Sequence, residues 1–157
     1  MNTKTENSSS MTKPWSAIVE QYEGYPGSDS SVDGVASLAK LIYESELSTG
    51  LFAWTSMFDL CITQTEVIYP YFGPYLRVKP LFNGQIEFRY LDTTDESKQW
   101  HRTVASSEAI PRLRSFLSQL HWFGSAPFFP SRGYACRFPH TSAHVARRPT
   151  TSERCKA

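Results

Sequence analysis

The 157-residue chain has almost no net charge, three cysteines and no long hydrophobic run. No apolar stretch approaches the roughly 18 residues of a membrane-spanning helix, which points away from a membrane protein. The N-terminal stretch MNTKTENSSSMTKPW lacks the apolar core of a secretory signal. Cys61, Cys136 and Cys155 are an odd number without such a signal, so the expectation is reduced thiols in a cytoplasmic protein. There is no Cys-x-x-Cys pair, no internal repeat and no nucleophile elbow around any serine. Gly24-x-x-Gly27 lacks the lysine and flanking strand of a phosphate loop. No cofactor is expected from these motifs.

The net charge of +1 is a cancellation. Residues 15–122 carry thirteen acids and eight bases, leaving −5, whereas residues 123–157 carry six bases and one acid, leaving +5. The acidic body should repel nucleic acid, and any polyanion contact falls to the tail. Pattern changes at the same places. Residues 1–14 are polar and read as a disordered leader, with Met1 or Met11 as the start. Residues 15–123 read as one domain. Residues 124–157 hold Pro127, Pro130, Pro139 and Pro149 without sustained periodicity and read as an irregular basic tail. Within that tail, Cys136-x3-His140-x3-His144 offers zinc-type ligands, but Pro139 breaks the helical spacing between them, so no metal site is assigned.

Within the body, Trp15, Ile18, Val19 and Tyr22 recur at helical spacing after Pro14. Val35, Leu38, Ala39 and Ile42 form a second stripe, capped by Ser30 or Ser31 and ended by Gly50. A strand is predicted over 57–64, then a proline-rich loop over 69–74. Tyr75–Pro80 and Gln85–Leu91 flank Phe82-Asn83-Gly84. Opposed residues of an antiparallel pair share a face, and only a three-residue loop puts Val78 opposite Phe88, Leu76 opposite Tyr90 and Lys79 opposite Glu87. That loop needs Gly84 in the left-handed region. It also sets Arg77 opposite Arg89, which is unfavourable unless an acid or a ligand separates them. Lys98–Val104 is a further strand, with Trp100 and Val104 on one face and His101 and Thr103 on the other. Ser106 or Ser107 starts a last helix lined by Ile110, Leu113, Leu117 and Leu120 and stopped by Gly124. The fold class is α+β: a four-stranded antiparallel meander with helices on one face, in the order α-α-β-β-β-β-α.

Aromatic residues exceed what so small a core readily hides. Trp54, Tyr71, Tyr75 and Trp100, interleaved with Arg77, Arg89 and Arg102, suit a homodimer interface, a cleft for an anionic or planar ligand, or simple core packing. His101 is the one candidate for acid–base catalysis, near Asp92, Asp95 or Glu96. Cys61 reads as a small core residue, and His121 as a dipole-favoured helix end.

Five stretches taken together, LFAWTSMFDLCITQ (51–64), PYFGPYLRV (70–78), GQIEFRYLDT (84–93), KQWHR (98–102) and QLHWF (119–123), resemble bacterial hypothetical proteins carried on integron gene cassettes. The resemblance implies a mobile-DNA origin and an unassigned function, and transfers no functional residues. It suits a tail produced by reading into a cassette's recombination site. The function expected is a small self-associating binding or interaction module; the alternatives are a small enzyme or small-molecule binder using the aromatic–arginine cleft, or an immunity- or antitoxin-like inhibitor.

Overall fold

The structure, a computed structural model, describes residues 10–25 and 29–122. The elements are α1 (Trp15–Glu23), α2 (Ser30–Tyr43), the single turn α3 (Leu47–Gly50), β1 (Phe52–Ser56), β2 (Asp59–Thr63), β3 (Pro74–Pro80), β4 (Gln85–Asp92), β5 (Trp100–Ala105) and α4 (Ala109–Gln119). The five strands form one antiparallel meander in the order β1-β2-β3-β4-β5. The α+β class is as predicted. The strand expected over 57–64 is β2, and β1, before it over Phe52–Ser56, is a fifth strand beyond the four expected. Met57 and Phe58 turn the chain between Ser56 and Asp59, with Met57 in the left-handed region at φ 58°. The pair carries neither asparagine nor glycine, the residues that normally mark such a turn.

The β3–β4 register is the predicted one. Val78 faces Phe88, Leu76 faces Tyr90, Lys79 faces Glu87 and Arg77 faces Arg89. Gly84 has φ 78°, and Phe82 also adopts the left-handed region at φ 56°. The turn is held from both sides: Leu81 N–H donates to Gln85 O, and Gly84 N–H donates to the buried Ser31 Oγ.

Strand alternation sorts the sheet into two faces. Leu60, Ile62, Leu76, Val78, Ile86 and Phe88 point inward and are fully buried against the helices. From α1 come Trp15, Ile18 and Tyr22, from α2 Val35, Leu38, Ala39 and Ile42, and from α4 Leu113, Phe116 and Leu117. Helix α2 is capped by Asp29, whose side chain accepts from Ser31 N–H, rather than by either serine. It ends at Tyr43, and Gly50 instead closes α3. Helix α4 stops before Gly124. His121 sits at φ 53°, its N–H on Ser118 O, and Trp122 N–H reaches back to Leu117 O, a Schellman closure. His121 therefore supplies a left-handed cap at the helix end, and the buried Trp122 packs edge-on to Tyr90.

Residues 10–13, expected to belong to the disordered leader, are held to the body at two places, Ser10 bridging Ile68 in the connection after β2 and Lys13 bridging Ala53 on the free edge of β1. Met11 N–H donates to Val67 O and Lys13 N–H to Ala53 O. Lys13 Nζ also donates to Gln21 Oε1 and Thr55 Oγ1. Residues 1–9 and the basic tail over 124–157, with Cys136, His140 and His144, lie outside the described residues. Among the described residues, no helix is long and apolar enough to cross a membrane.

Candidate functional site

The sheet face turned away from the helices gathers most of the candidate residues. Successive registers align Trp54, Cys61, Arg77, Arg89 and His101 in one row across all five strands. Tyr75 projects from the same face two residues before Arg77. Tyr71 joins from the loop before β3. The rings of Trp54, Tyr71 and Tyr75 form a triangle with centroid separations of 5.7, 5.2 and 5.9 Å. Tyr71 is fixed there by its hydroxyl, which donates to Pro74 O at 2.7 Å and lies 3.0 Å from Thr63 Oγ1.

Arg77 and Arg89 differ in their partners. Arg77 Nε donates to Asp59 Oδ2 at 2.6 Å, and Nη2 closes on the same oxygen. Asp59 is a buried carboxylate, so this pair replaces the hydration that Asp59 gives up. Arg89 has only a long ion pair with Glu87, 3.9 Å from Nε to Oε1, and its side chain remains 46% exposed. Cys61 lies beneath this layer. Burial pushes its thiol up to about 12, with Arg77 opposing that rise, so it is not a thiolate nucleophile. Burial likewise raises the Tyr75 phenol above its ordinary range.

Trp100 and Arg102 do not join this face. Trp100 points to the helix side, stacked on Tyr90 and packed against Phe116. The Arg102 guanidinium lies 6.0 Å from the Trp100 ring centroid, and its Nη1 donates to His101 O at 2.7 Å. Even-numbered β5 residues direct their backbone N–H and C=O toward β4, in step with Ser106 N–H on Gly84 O, so the His101 carbonyl faces the free edge of the sheet. Arg102 therefore blunts that edge.

The carboxylates expected near His101 are used within their own loop. Asp92 Oδ1 accepts from Thr94 N–H, Thr94 Oγ1 and Asp95 N–H. Asp95 holds Ser97 and Lys98 Nζ. His101 has no side-chain partner among the described hydrogen bonds and ion pairs, so the acid–base pairing anticipated from sequence is not assembled.

Sequence reasoning missed Asp59, Thr63 and Phe52, all on this face. Their signal was the period-two alternation with Cys61 and Trp54, which became legible only once β1 and β2 were separated. It also undervalued the loop after β2: Ile68 is 52% exposed, and Tyr69 and Phe72 are each 75% exposed. Among the described residues, no group of three or more His, Cys, Asp or Glu side chains is placed to hold a metal ion. The chain matches no family model, no curated protein and no solved structure.

Proposed function

We propose that this chain is a small interaction module that pairs with a second copy of itself through the aromatic end of its helix-free sheet face. The observation that carries this reading is the concentration of exposed apolar side chains there. Val67–Leu76 is ten consecutive residues without a charge; within it Ile68, Tyr69 and Phe72 are exposed, and Tyr71 and Tyr75 close the ring triangle with Trp54, two residues along β1 from the exposed Phe52. An uncharged, aromatic surface is matched by another apolar surface, and a second copy supplies one.

At 150–250 Å² per aromatic side chain, the exposed fractions offer roughly 400 Å² on each copy before the triangle is counted. With the triangle included, the pair approaches the ~1,000 Å² low end of specific interfaces, suited to reversible association. The sheet edges are less available, since Lys13 pairs with Ala53 and reaches Thr55 on β1 and Arg102 blunts β5.

Sedimentation equilibrium from low to high micromolar concentration tests the proposal. A concentration-dependent rise toward twice the monomer mass, lost in Tyr69→Ser/Phe72→Ser, supports it; a monomer throughout overturns it. The cassette origin is part of the same proposal. Flanking DNA carrying a cassette recombination site supports that origin, and its absence removes it.

A further inference from the structure

We propose that Arg89, flanked across the strands by Arg77 and His101, binds the phosphoryl group of a small phosphate monoester. The three side chains come from β4, β3 and β5 at directly opposed positions, so they stand side by side on one face. Neighbouring strands are about 4.8 Å apart, which lets long side chains from all three converge on one anion.

The charge arithmetic of the face differs from that of the body. The helix-free face carries Arg77, Lys79 and Arg89 against Asp59 and Glu87, with His101 beside them, whereas residues 15–122 as a whole carry −5. Asp59 takes Nε and Nη2 of Arg77 and leaves Nη1 without a hydrogen bond among the described residues. Arg77 is thus both neutralised and held in place with a donor to spare. Arg89 has no comparable anchor, because Glu87 stays outside hydrogen-bond reach.

Asp59 answers Arg77 alone, so an anion at Arg89 supplies the counter-charge that the 3.9 Å contact with Glu87 leaves incomplete. A carboxylate is satisfied by one guanidinium fork, whereas donors arriving from three strands match the three terminal oxygens of a phosphoryl group. Tyr75, diagonal to Arg89 on the same face, gives a flat apolar wall for whatever carries the phosphate. Arg89 is three strands from Phe52, so its contact with an anion does not depend on self-association, while Tyr75 is shared with the aromatic end proposed to pair two copies.

An amide NMR titration of the full chain with inorganic phosphate and with phenyl phosphate tests it. Saturable shifts centred on Arg77, Arg89 and His101 are expected, with phenyl phosphate binding no more weakly than inorganic phosphate. Arg89→Gln should weaken both by tenfold or more. Absence of saturation, shifts centred elsewhere, unchanged affinity in Arg89→Gln, or exclusion of phenyl phosphate overturns the proposal. Should Arg89→Gln fail to fold, His101→Gln at the exposed edge repeats the test with an expected loss of several-fold, and unchanged affinity there overturns it equally.

Discussion

Arg77 and Arg89 face each other in the β3–β4 ladder, yet their removal should move stability in opposite directions. Arg77→Gln withdraws both guanidinium donors from Asp59, a carboxylate that is only 6% exposed. Removing one member of a fully buried ion pair costs about 3–5 kcal/mol. Arg77 is itself about one-third exposed, so water partly replaces it and the cost falls to about 2 kcal/mol. That is about a thirtyfold change in the folding equilibrium, and close to 1 M in urea midpoint for a domain of this size. Arg89→Gln instead relieves the like-charge opposition and loses only the long contact to Glu87. It should leave stability unchanged or raise it by about 0.5 kcal/mol. Urea unfolding of the two variants, followed by circular dichroism, checks both signs. Equal destabilisation by the two, or an Arg77→Gln midpoint equal to wild type, refutes the assignment of Asp59 to Arg77 alone.

Three further outcomes follow from single positions. Gly84→Ala places a Cβ at φ 78° and should destabilise by about 1 kcal/mol in the same urea assay, whereas Gly50→Ala, with open space around it, should be neutral or slightly stabilising. Hydrogen bonds from Thr94 hold the Asp92 carboxyl below the usual carboxylate range, as those from Ser97 and Lys98 do for Asp95. A carboxyl depressed in the folded state contributes stability above its unfolded value of about 4, lost as pH falls through the folded one. Thermal unfolding of Asp92→Asn should therefore show a flatter pH dependence below about pH 4 than wild type. Cys61 should resist iodoacetamide in the folded protein and react after unfolding, as read by mass spectrometry of the peptide that contains it.

Local parity made the β3–β4 hairpin readable from sequence, since only one loop length gave both an apolar face and a Lys79–Glu87 pair. The helix stripes were readable for the same reason, with one face of each committed to the core. The β1–β2 hairpin was not, because Met57-Phe58 lacks turn chemistry and Phe52, Ala53 and Trp54 are apolar on both faces. The partner of Arg77 depended on the β2–β3 register across a ten-residue connection, and no local pattern fixes such a register. Arg102 was grouped with the site by its proximity to His101 in sequence. Strand alternation places it on the opposite face, where it serves the sheet edge instead.

Hydrogen–deuterium exchange on dilute and concentrated protein tests most directly whether the aromatic end of the helix-free face is where two copies meet. At high concentration, protection should increase over residues 67–76 and around Phe52, with α2 and α4 unchanged, and Tyr69→Ser/Phe72→Ser should abolish the difference. Concentration-dependent protection that falls on the helices or on β5 instead, or no difference between the two samples, contradicts it.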